Sequence, residues 1–309
     1  MDLNNNRYKL KVTIKLNDNF TAGDDIHIQI DGKNACAEDL KTINLTFDPS
    51  SKFSRNEVSG LHIDVSNSWS ASWGDYDNDG YDDLFVPNYN VNEGNLLYHN
   101  EGDGTFTKIT SGPVVSTLGS AVSGTWGDFD NDDDLDLFVS YNSNGSDQLF
   151  MNNGNGTFTK LANDPAVNSG LYTHGAAWGD YDNDGYLDLI LTDYHLTNSN
   201  SLIRNKGDGS FERVNDSPIS LETSSSVGVN WADYDGDGDL DVFIANTAGQ
   251  NNLLYENVAG VFEKVLSSPI VSDGGTSVGG TWGDYDNDGD LDLFVPNSSD
   301  QDPNYLYDN

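Results

Sequence analysis

Aspartates recur in this 309-residue chain at positions 1, 3, 5 and 9 of a short loop that opens two residues after a tryptophan. The first loop carries Asp75, Asp77, Asp79 and Asp83, and the second Asp128, Asp130, Asp132 and Asp136. Asp180, Asp182, Asp184 and Asp188 form the third, and Asp233, Asp235, Asp237 and Asp241 the fourth. The fifth is Asp284, Asp286, Asp288 and Asp292. Carboxylates so spaced can converge on one point, and Gly80, Gly185, Gly238 and Gly289 at position 6 let the chain reverse with φ above zero. Like charges packed this closely repel, so the loop needs a cation to close. Hard oxygen donors, with no His or Cys in the ladder, select Ca2+ over zinc or copper. The carbonyls at position 7 (Tyr81, Asp134, Tyr186, Asp239 and Asp290) are the natural fifth ligands. Water or a bidentate carboxylate completes the roughly 6–8 oxygens that calcium prefers. Five loops imply about five ions.

A solvated Asp/Gly turn is the bland alternative, and five copies in one register argue against it. An EF-hand shares the opening spacing but requires an acidic residue at position 12 and flanking helices. Position 12 is Val86, Val139, Leu191, Ile244 and Val295, which are strand residues. The second loop departs from the others by placing Asp133 at position 6. A left-handed Asp carries a cost that Gly does not, so the second loop is expected to be the weakest of the five.

The elements that hold these loops repeat with them. Trp73, Trp126, Trp178, Trp231 and Trp282 lie 53, 52, 53 and 51 residues apart, and a repeat near that length is the mark of a propeller or other array. Each unit reads as four strands: a small apolar strand ending at Trp, a second apolar run such as Leu135–Val139, a third such as Leu253–Tyr255, and a fourth beginning at a repeated Phe. Gly-rich turns such as 205–210 join the last two. Four antiparallel strands repeated radially make a β-propeller, with the Trp and Phe packed between neighbouring blades. The fold class expected is all-β, with five blades favoured and six or seven left open.

The run Trp-Gly-Asp-Tyr-Asp-Asn-Asp-Gly-x-Leu-Asp-Leu, followed by Leu-Tyr-x-Asn and Gly-Asp-Gly-Thr-Phe, resembles the FG-GAP/VCBS repeat family. That family is similar to the calcium-bearing blades of integrin α-chain propellers. The resemblance covers about Phe53 to Asn309 and leaves out residues 1–50. It implies a propeller fold and implies that the ladder aspartates are calcium ligands. The expected organisation is an N-terminal β segment over 1–50 and a propeller over 51–309. Strands are expected over 8–16 and 25–31, and a further run starts at Leu45. Phe53 is expected to supply a fourth strand that closes the ring onto the last unit.

Fifty-one acidic residues face 14 basic ones, for a formal charge of −37. Ten positive charges from five Ca2+ would leave −27, which still repels nucleic acid and anionic membranes. The single Cys36 allows no internal disulfide, so calcium takes the stapling role. No stretch has the length and apolarity of a membrane helix, and the first residues do not read as a signal peptide. Loops of this type work where free calcium is near millimolar, matching affinities of roughly 10⁻⁴–10⁻³ M, so an extracellular or cell-surface location is expected.

Loops on the face opposite the calcium ladders differ from copy to copy, the usual setting for recognition. Tyr89, Tyr141, Tyr172, His174, Tyr194 and His195 fall there or in the blade connections and are the candidate ligand-binding residues. No catalytic motif stands out, and no catalytic residue is assigned. The function expected is a calcium-stabilised recognition module, adhesive or binding a glycan or protein. Two alternatives stay open: a polysaccharide lyase or hydrolase using Tyr/His on that face, and a structural spacer in a larger surface protein.

Overall fold

Alternating apolar runs and tight Gly turns build a series of small antiparallel sheets. The computed structural model describes residues 25–27, 44–46, 60–61, 66–142, 147–162, 164, 166–167, 172–299 and 302–309. Two compact units are present, Met1–Asn56 and Glu57–Asn309. In the first, Asp25–His27 pairs antiparallel with Asn44–Thr46, the former inside the run expected over 25–31 and the latter overlapping the run expected from Leu45. The strand expected over 8–16 and the ring-closing role of Phe53 fall outside the described residues.

The second unit is a β-propeller. Its first strands are Ser72–Gly74, Ala121–Gly127, Thr173–Gly179, Ser226–Ala232 and Thr281–Gly283. Second strands follow the acidic loops at Asp83–Val86, Asp136–Tyr141, Asp188–Asp193, Asp241–Asn246 and Asp292–Val295. Third strands are Leu96–Asn100, Gln148–Asn152, Ser201–Asn205, Leu253–Val258 and Tyr305–Tyr307. Blades 1 to 4 add a fourth strand, at Phe106–Lys108, Phe158–Leu161, Phe211–Arg213 and Val261–Lys264. Blade 5 shows three strands among the described residues. One register runs through all of them: the five Trp face Leu84, Leu137, Leu189, Val242 and Leu293. Every residue of the second strands of blades 2, 3 and 4 is buried, as their near-continuous apolar runs require.

The core lies between blades rather than within them. Each of four apolar clusters joins one blade to the next; in the first, Tyr76, Phe85 and Leu97 meet Leu137, Phe150 and Phe158. Each interface is organised by the incoming Trp. Trp126 stacks on Tyr76 at 6.3 Å and 10°, Trp178 on Phe129 at 6.2 Å and 14°, and Trp282 on Tyr234 at 5.9 Å and 8°. The same three Trp meet Phe85, Phe138 and Phe243 edge-on. Such pairs add roughly 0.5–1.5 kcal/mol beyond the area they bury. This packing explains the Gly after Trp in the first three blades: a Cβ on Gly74 or Gly127 would lie 2.8 Å from the next Trp ring, and one on Gly179 2.7 Å.

Short helical turns, Pro113–Ser116, Pro218–Leu221 and Pro269–Val271, bridge successive blades. Composition argues against helices, yet Ser217 and Ser268 each accept from the N–H two residues on, ahead of a Pro in the first turn.

Candidate functional site

The acidic loops fold by their own hydrogen bonds. The position-1 carboxylate accepts from the position-6 N–H, as in Gly80 N to Asp75 Oδ2 at 2.8 Å and Gly185 N to Asp180 Oδ2 at 2.9 Å. Position 6 is left-handed throughout, with φ of 92° at Gly80, 89° at Gly185, 96° at Gly238, 106° at Gly289 and 69° at Asp133. Position 4 is left-handed too, at Asn78, Asn131, Asn183, Gly236 and Asn287. The position-9 carboxylates are buried and accept twice from backbone: Asp136 Oδ2 from Phe129 N at 3.1 Å and Oδ1 from Asn152 N at 2.7 Å.

Carboxylate oxygens of positions 1, 3 and 9 lie within 4.8 Å of one another in loops 2, 3 and 4, and those of Asp75, Asp77 and Asp79 do so in loop 1. Burial raises Asp136 and Asp188 to about 7, and Asp83 and Asp241 to about 6. Asp77, Asp130 and Asp182 are raised by the same cause. One oxygen on each of Asp77, Asp130, Asp182 and Asp233 is buried with no hydrogen-bond partner. Desolvated carboxylates with free lone pairs turned to a common point fit a hard divalent cation.

Side-chain amides tie successive loops together. From blade 2 onward an Asn at or near the end of the third strand donates into the loop of the preceding blade: Asn152 Nδ2 to Tyr76 O at 2.7 Å, Asn205 to Phe129 O at 2.7 Å, Asn257 to Tyr181 O at 2.8 Å and Asn309 to Tyr234 O at 2.7 Å. Asn78 and Asn183 reach forward to Asp134 Oδ1 and Asp239 Oδ1, each at 2.7 Å.

At the other end of the blades, aromatic rings form a continuous run. Tyr89 stacks on Trp69 at 4.8 Å, and Trp69 meets His174 edge-on at 6.0 Å. His174 stacks on Tyr194 at 4.5 Å, Tyr194 meets His195 at 6.4 Å, and His195 lies 4.1 Å from Tyr172. His174 sits where the pairing register shifts between Thr173 and Ala176, a bulge that re-aims its ring. Burial lowers it to about 4, so it is neutral, and its Nε2 is buried without a hydrogen-bond partner. Trp69 and Tyr194 are 57% and 43% exposed.

A family profile for the FG-GAP-like repeat matches residues 75–139, 128–191, 180–244 and 233–295. The chain belongs to the FG-GAP-like repeat family. Among curated relatives, cartilage acidic protein 1 of Xenopus tropicalis is 27% identical over 204 residues, 60% of this chain and 28% of that protein. The Homo sapiens protein is 27% identical over 197 residues, 60% of this chain and 27% of its own length. The chain thus spans little more than a quarter of these relatives. Among solved structures, an Agrocybe aegerita lectin that recognises non-reducing terminal N-acetylglucosamine aligns with a TM-score of 0.49 and 17% identity, over 74% of this chain and 60% of that one. The V. cholerae biofilm matrix protein Bap1 aligns with a TM-score of 0.44 and 15% identity, over 73% and 34%.

In loops 2, 3 and 4 of this FG-GAP-like chain the first, third and ninth ladder positions converge, whereas position-7 side chains make contacts within and between blades. Asp134 and Asp239 accept from the preceding blade's Asn, and Tyr81 and Tyr186 cover Gly102 and Gly207. Of the expected ligand-binding residues, Tyr89, Tyr172, His174, Tyr194 and His195 are brought together. Tyr141 is a correction: it is 1% exposed, and its hydroxyl accepts from Asn95 Nδ2 at 3.1 Å, because it ends a fully buried second strand. Trp69 escapes sequence reasoning because its residue type is not repeated: the same register position holds Val122, His174, Val227 and Val278 in the other units. The stapling Asn is visible in the recurring Leu-Tyr-x-Asn, but its partner lies 76 residues away for Asn152, Asn205 and Asn257.

Proposed function

We propose that this chain is a calcium-stabilised recognition module acting outside the cell, and that it binds a neutral glycan at the aromatic end. Asp75, Asp77, Asp79 and Asp83 and their counterparts in the other four loops would hold Ca2+, with the position-7 carbonyls completing the shell. Calcium supplies charge neutralisation and closes the loops. The observation that carries the binding reading is the aromatic run in which exposed Trp69 and Tyr194 pack against buried His174. Flat exposed rings stack on the C–H face of a sugar. A formal charge of −37 disfavours acidic glycans. Relatives named for cartilage support an extracellular setting.

Binding is favoured over catalysis by the state of the neighbouring carboxyl. Asp193, whose charge reaches His174, is buried, and its oxygens accept from Tyr172 N, His195 N and Asn198 Nδ2. It is engaged as a structural acceptor. A glycan array followed by calorimetry in millimolar calcium tests the proposal. Trp69→Ala is expected to weaken the best ligand by up to about tenfold, the worth of one ring contact, with an unchanged melting temperature. Equal affinity in Trp69→Ala, or a protein ligand in place of any glycan, would overturn the glycan reading.

A further inference from the structure

The residue before each stapling Asn differs in every blade: His99, Met151, Arg204, Glu256 and Asp308. In blades 1 and 3 it lies over its own blade's acidic loop. His99 Nδ1 is 3.1 Å from Asp77 Oδ2 and 3.3 Å from Asp83 Oδ1. Arg204 goes further, with Nε 2.7 Å from Asp182 Oδ2 and Nη2 3.0 Å from Asp184 Oδ2. The carboxylates at positions 3 and 5 of the third loop therefore share a guanidinium. That group is charged at every working pH; Nη2 donates to Asp184 Oδ2, while Nε meets Asp182 Oδ2 as an ion pair without a hydrogen bond. Loops 2, 4 and 5 carry a neutral or acidic residue at this register position.

We propose that Arg204 is the resident counter-cation of the third loop. It offsets one of the two negative charges of Asp182 and Asp184, holds the loop closed without metal, and makes this loop the last of the five to take calcium. The unpartnered Asp182 Oδ1 leaves a way in for a metal ion. An entering ion must share ligand oxygens with a positive charge and is repelled by it. The sequence pattern alone, a full ladder with Gly185 at position 6, marks the third loop as one of the best; the structure reverses that rank. The inference rests on the calcium reading of the other loops.

The test is calcium titration of the whole, chelator-stripped chain, read by native mass spectrometry and calorimetry. The wild type is expected to take four ions readily and a fifth only at about tenfold higher calcium or more. Arg204→Met installs the residue that blade 2 carries, and it should bring the fifth ion level with the rest. Met151→Arg should do the reverse and remove one ion. Hydrogen exchange of the stripped wild type gives an independent readout: residues 180–188 should stay protected while 128–136 and 233–241 open. Should Arg204→Met fail to fold, Met151→Arg and the exchange pattern still decide. Unchanged ion count and affinities in Arg204→Met, or early filling of the third loop in the wild type, would sink the inference while leaving calcium in the other loops intact. A wild type that takes no calcium at any loop would remove the calcium reading and this inference with it.

Discussion

The two ends of the propeller use the same kind of side chain to opposite effect. At the acidic end, from blade 2 onward, the Asn at or near the end of the third strand reaches across to the preceding blade, so Asn205 Nδ2 donates to Phe129 O and to Leu187 O in its own blade. At the aromatic end the residue ahead of each third strand turns back on its own loop. Asp193 N donates to Asn200 Oδ1 at 3.0 Å, and Tyr141 N, Asn246 N and Asn297 N donate to Asp147, Asn252 and Asn304 in the same way. One end is wired blade to blade and therefore cannot vary without disturbing its neighbours. The other is locked within each blade and also crossed between blades, but through side chains that change from copy to copy, as in Asn95 Nδ2 to Tyr141 Oη and Thr173 Oγ1 to Asp147 Oδ2. Repetition at the acidic end and variety at the aromatic end match that wiring.

Removing calcium should separate the two ends most. A site at tenfold excess over its Kd contributes ~1.4 kcal/mol, and four such sites ~6 kcal/mol. Chelation is then expected to lower the melting temperature by about 10–20 °C. Trp69→Ala, at the other end, should show the same drop. An unchanged melting temperature on chelation would erase the distinction between the ends.

The acidic end should also respond to pH with a sign that depends on metal. In the stripped chain Asp136 and Asp188 sit at about 7, and Asp83 and Asp241 at about 6, all raised by burial above the ordinary 3.8. Between those limits the folded chain binds more protons than the unfolded one, so stability falls as pH rises through about 4 to 7. Lowering the pH from 7.5 to 5 should raise the melting temperature of the stripped chain by roughly 5 °C or more. The calcium-loaded chain should lose stability over the same change, because protons compete with metal. Parallel pH profiles would argue that these carboxyls hold no ion.

Substituting the two kinds of Asn sharpens the contrast further. Asn205→Ala removes amide donors to Phe129 O and Leu187 O and the acceptor of Gly207 N, at a cost of roughly 2–4 kcal/mol. It should also weaken calcium binding, since Phe129 belongs to the second acidic loop. Asn200→Ala removes a bond to Ser226 Oγ and the acceptor of Asp193 N, at about 1–3 kcal/mol, with calcium titration unaltered. Equal effects on calcium would show that the ends are coupled through the blades.

Repetition made most of this legible. Five copies of Trp, ladder and Phe disclose the strands, the positive φ at position 6 and the packing of rings between blades, because each copy confirms the others. Features present once stayed hidden. Trp69 stands at a register position that the other blades fill with Val or His, and Arg204 at one that every blade fills differently. Tyr141 looked like a loop residue because it follows the apolar run of its strand, whereas the strand extends to include it. Long-range partners were hidden for another reason: the acceptors of Asn152 and Asn205 are main-chain carbonyls, which carry no residue-type signal.

The smallest expected effect concerns Asp133, the one non-Gly at position 6, held at φ 69°. Its loop makes the same turn as the others, with Asp133 N donating to Asp128 Oδ2 at 3.0 Å, so the geometry is kept and the cost is conformational. A left-handed non-Gly residue costs roughly 1–2 kcal/mol, less for Asp, and the greater freedom of Gly in the unfolded chain offsets part of any gain. Asp133→Gly should therefore raise the melting temperature by about 1–3 °C and tighten its own loop only a few-fold. Strain that is present with or without metal weakens a site little, whereas a guanidinium that competes with the ion weakens it directly. The second loop should accordingly fill before the third. Site-resolved titration in which Asp133→Gly outweighs Arg204→Met would show that backbone strain, and not the local cation, ranks the loops.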